Sequence, residues 1–351
     1  MGKAGFLARK NIVFSVERYL IDALGAMAQG LFASLIVGLI LSTAGEQLAN
    51  LFGNNAVFEF LVSSGKVAQS LMGPSIGVAV AYGLGAPPLV LFASVITGAA
   101  GAAAAAGGVT AGPVGAFIGA VVGAEFGKLV SKETKVDIIV TPAVTIAAGL
   151  LAANLLGPYV AWFMIWLGNV IKLATVQHPI PMGILVSVAM GLALTAPISS
   201  AALAIMMDLS GLAAGAATVG CSAQMIGFAV ASYRENGWGG LIAQGVGTSM
   251  LQVPNIVRNP WILLPPTLAS AILGPLATTI FQMENTAYGA GMGTSGFVGQ
   301  FGTAAAMGFS LPVLGKIVLL HYLLPAVIAL LCSEWMRKKG LIKTGDYDLK
   351  L

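Results

Sequence analysis

The stretch Gln282–Gly308, QMENTAYGAGMGTSGFVGQFGTAAAMG, holds Glu284, Asn285, three Thr and seven Gly, and long apolar runs bracket it on both sides. Its meaning depends on those surroundings. The 351 residues are 57% apolar and 9% charged, with a mean hydropathy of +0.91, whereas a soluble domain is about 25% charged. Windows such as Leu89–Ala124 and Leu241–Val257 contain no charged residue and are long enough to cross the ~30 Å hydrocarbon core of a bilayer. The composition therefore specifies an all-α polytopic membrane protein, and the quoted stretch is a helix break in apolar company. Unpaired backbone groups are costly in lipid, so such a break is stable only where protein or a water-filled cavity satisfies it. The segment GAGMGTSGFVGQFG is accordingly predicted to form a re-entrant hairpin. Its Gly residues allow tight turns, and Thr294, Ser295 and Gln300 offer hydrogen bonds to a polar solute.

Outward from this stretch, hydropathy predicts about ten transmembrane helices. The first five lie near Leu20–Leu41, Val67–Leu84, Pro88–Gly108, Pro113–Val130 and Ile138–Leu156. The others lie near Met182–Met206, Leu212–Ser232, Trp238–Pro254, Trp261–Phe281 and Leu311–Leu331. With both termini cytoplasmic, thirteen of the seventeen Lys and Arg fall on the inner side, among them Lys3, Lys128, Lys132, Arg337 and Lys350, as the positive-inside bias requires. Lys66, Lys172, Arg234 and Lys316 are the exceptions. The +4 net charge thus reflects topology in a multi-pass cell-membrane protein and not nucleic-acid binding. The N-terminus lacks the short apolar core and cleavage site of a removable signal peptide.

Forty-six Gly, about twice the usual ~7% share, predict helices packed through small residues. An internal echo recurs at a spacing of about 124 residues. GAFIGAVVGAEFGKLV from Gly115 resembles GGLIAQGVGTSMLQV from Gly239, Pro142 matches Pro266, and GPSIGVAVA at Gly73 parallels APISSAALA at Ala196. These echoes divide the chain into a cytoplasmic lead-in helix (1–18), a first membrane repeat (19–135) and a second (136–260). A C-terminal span, the hairpin and the last span follow (261–335), then a cytoplasmic tail (336–351). Repeat architectures place their binding sites near the repeat interface at the bilayer midplane.

The substrate-binding candidates are polar groups set in apolar sequence. Glu284 and Asn285 open the hairpin, and intramembrane ionisable groups usually line pathways. His178 stands in VQHPIPMG, where two prolines break the helix, whereas His321 reads as a packing residue in the last span. Gln224 lies within a span, Ser199 follows a helix-breaking Pro, and Asn255 closes GTSMLQVPN. Together they suggest a polar cavity for an uncharged or weakly charged solute. Cys221 and Cys332 read as packing residues. No nucleotide, catalytic or metal motif competes, so no cofactor is expected.

At TAPISSAAL, VGCSAQMIGFAVASYREN, AQGVGTSMLQVPNIVRNP and ENTAYGAGMGTSGFVGQFG the chain resembles the IIC-type membrane proteins of the phosphotransferase system, more closely their PfoR-like (perfringolysin-regulator) branch. The resemblance covers most of the chain. It implies a sugar-like solute carried by alternating access, a homodimer in membrane lipid, and a His and a Glu as solute ligands, roles that His178 and Glu284 would fill. The glucose-type GITE signature is absent. All 351 residues are taken up by spans, short loops and tails, so the resemblance implies a permease component acting with separate IIA and IIB phosphotransferase proteins. The alternative class is a ligand-binding membrane sensor that does not transport, whose clue is the tail MRKKGLIKTGDYDLKL as an exposed interaction segment. Proteoliposome uptake separates the two.

Overall fold

A computed structural model describes residues 6–175 and 177–349; Lys3 and Lys350, counted above in the charge bias, lie outside the described residues. The chain forms two compact units, Met1–Gly38 with Ser64–Met164 (unit 1) and Leu39–Ser63 with Ile165–Leu351 (unit 2). Ten helices carry the architecture. They are α1 Arg18–Asn50, α2 Ala56–Ser70, α3 Met72–Gly83, α4 Pro88–Ala103, α5 Gly112–Val130, α6 Asp137–Thr175, α7 Pro179–Thr195, α8 Gly211–Ala231, α9 Pro260–Thr279 and α10 Leu311–Lys338.

Six of these, α1, α5, α6, α8, α9 and α10, are long and apolar enough to cross a membrane, while α4 and α7 are shorter apolar helices. These six are the helices of spanning length among the described residues, against the ten spans expected. Trp238–Pro254 is where the difference is greatest: this uncharged window breaks into Tyr233–Ile242, a π turn at Ala243–Gly247, a 3-10 turn at Ser249–Gln252 and a short helix Val253–Arg258. Its Gly237 has φ +56°, and Pro254 removes a backbone donor. The segment leaves the end of α8 and returns at the start of α9. Arg234 pairs with Glu334 at 3.1 Å, beside the charged end of α10.

In unit 1, helices α3, α4 and α5 approach so closely that an added Cβ at Gly101 would meet the Gly115 backbone, and one at Gly77 the Ser94 carbonyl. Small residues give apolar helices their contact area where lipid supplies no hydrophobic drive. Pro88, Pro113 and Pro179 occupy first turns, where no donor is lost. Gly107 and Gly108, both with positive φ, form the two-residue turn of the small hairpin Ala105–Ala106/Val109–Thr110 between α4 and α5.

In unit 2, α7, α8 and α9 pack mutually through Gly183, Gly220 and Gly274. Hydroxyls bridge the same contacts: Ser187 donates to the Ser270 carbonyl at 2.8 Å, and Ser270 donates to that of Gly220 at 3.1 Å. The tail is not a free interaction segment. Tyr347 is fully buried, stacks edge-on against Phe228 and lies under the Arg337 guanidinium; burial pushes its phenol up to about 12 and keeps it neutral. Asn236 and Gln252 donate to the Tyr347 carbonyl at 2.8 and 3.0 Å, and Asn255 donates to that of Asp348 at 2.9 Å. Side chains of the broken segment thus satisfy the backbone of the tail.

Two stability predictions follow from this packing. Gly220→Ala drives a Cβ into the Ser187 carbonyl and should lose about 1–3 kcal/mol, whereas Gly239→Ala, with open space around it, should stay within ~0.5 kcal/mol of the parent; denaturant unfolding in mixed micelles measures both. Tyr347→Ala should release the tail and make the exposed Lys343 bond sensitive to trypsin in the folded protein, while Tyr347→Phe, which gives up only the 3.3 Å hydroxyl contact with Ser333, should keep the tail protected.

Candidate functional site

Helix α8 organises the site because it is flanked along its length by two interrupted segments. From its N-terminal end comes the segment 282–308, which the sequence singles out. Asn285 bridges to Gly211, and its side-chain amide donates to Thr218 Oγ1 at 2.6 Å, the Gly299 carbonyl at 2.9 Å and Thr303 Oγ1 at 3.0 Å. Two short helices, Ala287–Ala290 and Val298–Met307, are joined by a buried turn with positive φ at Gly293, Gly296 and Phe297. At Gly293 the backbone lies so close to Cys221 and Ser222 that a Cβ would not fit. Glycine is required there by both its φ and the approach.

From the other end comes the broken segment 233–258. Gln244 donates to Ser232 Oγ at 2.8 Å and accepts from Gln252 at 2.9 Å, and Asn255 donates to Gln252 Oε1 at 2.8 Å. This amide ladder substitutes for the missing helical bonds. The two segments then meet: Ser295 Oγ donates to the Gly247 carbonyl at 2.8 Å, and Thr294 Oγ1 lies 3.4 Å from Met225 Sδ. From Gly211 to Ser222 is about 16 Å at 1.5 Å per residue, roughly half of the ~30 Å that a spanning helix must cover.

Around this meeting point lies a belt of buried polar side chains. Thr195 Oγ1 donates to Gln224 Oε1 at 3.2 Å and sits 2.8 Å from Ser249 Oγ; Gln224 Nε2 donates to Thr267 Oγ1 at 3.0 Å. Gln300 Nε2 contacts His321 Nδ1 at 3.1 Å. Four buried atoms of unit 2 have no hydrogen-bond partner among the described residues: Arg337 Nε, whose guanidinium is otherwise held by the Ala231 carbonyl and Glu235, and, beside the hairpin and α8, Ser222 Oγ, Gln300 Oε1 and His321 Nε2. A buried donor or acceptor left unpaired costs about 1–3 kcal/mol, so each of the last three is a point where a polar solute would be welcomed.

The sequence candidates therefore separate into three groups. Asn285, Thr294, Ser295 and Gln300 are all buried on the hairpin, and Gln224 is buried on α8 with Thr195 and Thr267 as its partners. Asn255 is buried but committed to Gln252 and the tail, and Ser199 caps the short helix Ser200–Met206 by accepting from the Ala202 amide. Glu284 and His178 are exposed: Glu284 precedes the buried turn, and His178 is the residue before α7. His321, read from sequence as packing, is fully buried with an unpartnered nitrogen. Ser222 was not singled out, although GCSAQ places it two residues before Gln224 on the helix that both segments line. Thr195 and Thr267 carried no signal beyond being hydroxyls in apolar runs.

No curated protein and no solved structure matches this chain. The family model described as phosphotransferase system, EIIC, matches residues 21–349. That match begins in α1, takes in both interrupted segments and ends in the folded tail, so the polar belt around α8 belongs to the family domain. This multi-pass, largely helical membrane chain belongs to the phosphotransferase-system EIIC family.

Proposed function

We propose that the chain is a permease component that carries a small polar, sugar-like solute, and that the solute binds in unit 2 where the two interrupted segments meet against α8. The observation that carries this reading is the set of unpartnered buried atoms, Ser222 Oγ, Gln300 Oε1 and His321 Nε2, beside two helix breaks. A hydroxylated solute both donates and accepts, so it can satisfy a serine hydroxyl, an amide oxygen and an imidazole nitrogen together. No fixed charge lies among these groups, which favours a neutral solute.

Segment 282–308 then acts as a re-entrant hairpin entering from one side of the bilayer, and segment 233–258 as its counterpart from the other. Broken helices at a repeat interface are the usual setting for alternating access. The Ser295–Gly247 bond is the contact that such a motion would open. Lys and Arg at the ends of α5 and α10 favour a cytoplasmic tail, on the side where separate IIB and IIA proteins would deliver the phosphoryl group.

Thermal stabilisation by a panel of sugars and polyols identifies the solute, and calorimetry and proteoliposome uptake test the site. Gln300→Ala, His321→Ala and Ser222→Ala should each weaken binding about 10-fold, the loss of roughly one hydrogen bond at 1.4 kcal/mol. Glu284→Gln and His178→Ala should bind as the parent does. The reverse pattern would move the site to the exposed groups, and binding without uptake would make the protein a sensor. Gly293→Val should abolish uptake while leaving membrane insertion intact.

A further inference from the structure

A cavity of about 380 Å³ lies wholly within unit 1, far in sequence from the polar belt. Its lining includes Arg9, Lys10, Asn11, Gly85, Lys128 and Lys132. The only carboxylate in that lining is Glu133. The volume falls within the ordinary range for small-ligand sites.

The frame of this cavity is built from buried charge. Lys128, 1% exposed, donates to the Asn11 carbonyl at 2.9 Å, the Leu84 carbonyl at 3.1 Å and Glu125 at 3.0 Å. Arg18 also donates to the Asn11 and Leu84 carbonyls. The N-terminal segment is thereby fastened to the end of α3. Lys10 bonds the Ser131 carbonyl and pairs with Glu133, whose carboxyl it holds below the usual carboxylate range. Arg9 lies beside the Phe6 ring at 5.7 Å, and Lys132 is exposed; neither contacts a carboxylate through its side chain among the described ion pairs. The lining retains a positive excess after its one acid is matched.

Two further observations point to a ligand. Asn11 and Lys132, with φ of +53° and +61°, are two of the five described non-glycine residues in the left-handed region, and both line this cavity, as does Gly85 at +63°. Strained backbone of this kind gathers at ligand clamps. Beside the cations, the same N-terminal segment exposes Phe6, Leu7, Val13, Phe14 and Val16, an apolar surface next to basic side chains at the ends of spanning helices. Such surfaces seat in the interface between headgroups and acyl chains, and basic pockets there hold phosphate headgroups.

We propose that the cavity bounded by Arg9, Lys10, Asn11, Lys128 and Lys132 recognises a phosphate ester, and that the adjoining apolar segment makes an anionic phospholipid headgroup its source. Arg9 and Lys132 provide the uncommitted donors, and Lys128 and Arg18 hold the frame.

The test uses the full-length protein in phosphatidylcholine nanodiscs, with phosphatidylglycerol titrated in and thermal unfolding as readout; a parallel arm adds inorganic phosphate. Phosphatidylglycerol should stabilise the parent saturably and in a salt-sensitive way, and Arg9→Gln/Lys132→Gln should raise the half-saturating lipid fraction at least 10-fold. Lys338→Gln/Lys339→Gln, which removes two charges elsewhere, should not. Lys132→Gly guards against a folding artefact: it suits the left-handed backbone, so it should melt no lower than the parent without anionic lipid, yet respond more weakly to it. Equal stabilisation by phosphate and none specific to phosphatidylglycerol would support the phosphate site with a soluble ester as its source. No response to either anion, or the same response in the Arg9/Lys132 variants as in the parent, would overturn the proposal. No solute enters the assay, so its failure leaves the transport reading standing.

Discussion

The peptide group's need for a hydrogen-bond partner where water is scarce governs unit 2. Two stretches of this chain leave helical geometry in apolar surroundings, and each is kept by a specific set of partners. Asn285 gathers the hairpin onto Thr218, Gly299 and Thr303, while Gln244, Gln252 and Asn255 carry the other break onto the tail. Remove the amides and both segments would have to become regular helices or leave the membrane. The Gly and small side chains of α8 complete the arrangement, since only a slim helix lets two irregular chains lie against it at once.

The same economy underlies the proposed position of the site. Nearly every polar group in the belt is spoken for by another, so the few that are not, on Ser222, Gln300 and His321, stand out. A fully satisfied network would only rigidify; one with open positions can take a guest. Among the described hydrogen bonds, the two breaks are linked by a hydroxyl-to-carbonyl bond, Ser295 to Gly247, which the proposed transport motion would open.

Much of the fold was legible in the sequence because long apolar runs and clustered basic residues are strong signals. The helix break at 282–308 could be read as well, because seven Gly around Thr and Asn interrupt an apolar sequence. The second break could not, because Trp238–Pro254 is uncharged and of spanning length, and its amides pair with one another and with a tail more than 80 residues away. Charge was no guide to burial. Glu284 and His178 attract the eye as ionisable groups beside prolines and glycines, yet they sit at the exposed margins, whereas His321 has an unremarkable apolar context and is fully buried. The tail's Lys and Asp suggested a solvated segment, but its anchors are the Tyr347 ring and backbone carbonyls, which carry no compositional signature.

The reach of a small aqueous reagent to the middle of α8 is the most direct check. In a background lacking Cys221 and Cys332, Ser222→Cys should react with a small hydrophilic methanethiosulfonate, and the solute should slow that reaction, while Val219→Cys, placed in the apolar cluster with Leu273 and Leu320, should stay inert. A Ser222→Cys protein as unreactive as the Val219→Cys control, with or without solute, would mean that the polar belt is sealed packing and not a binding site.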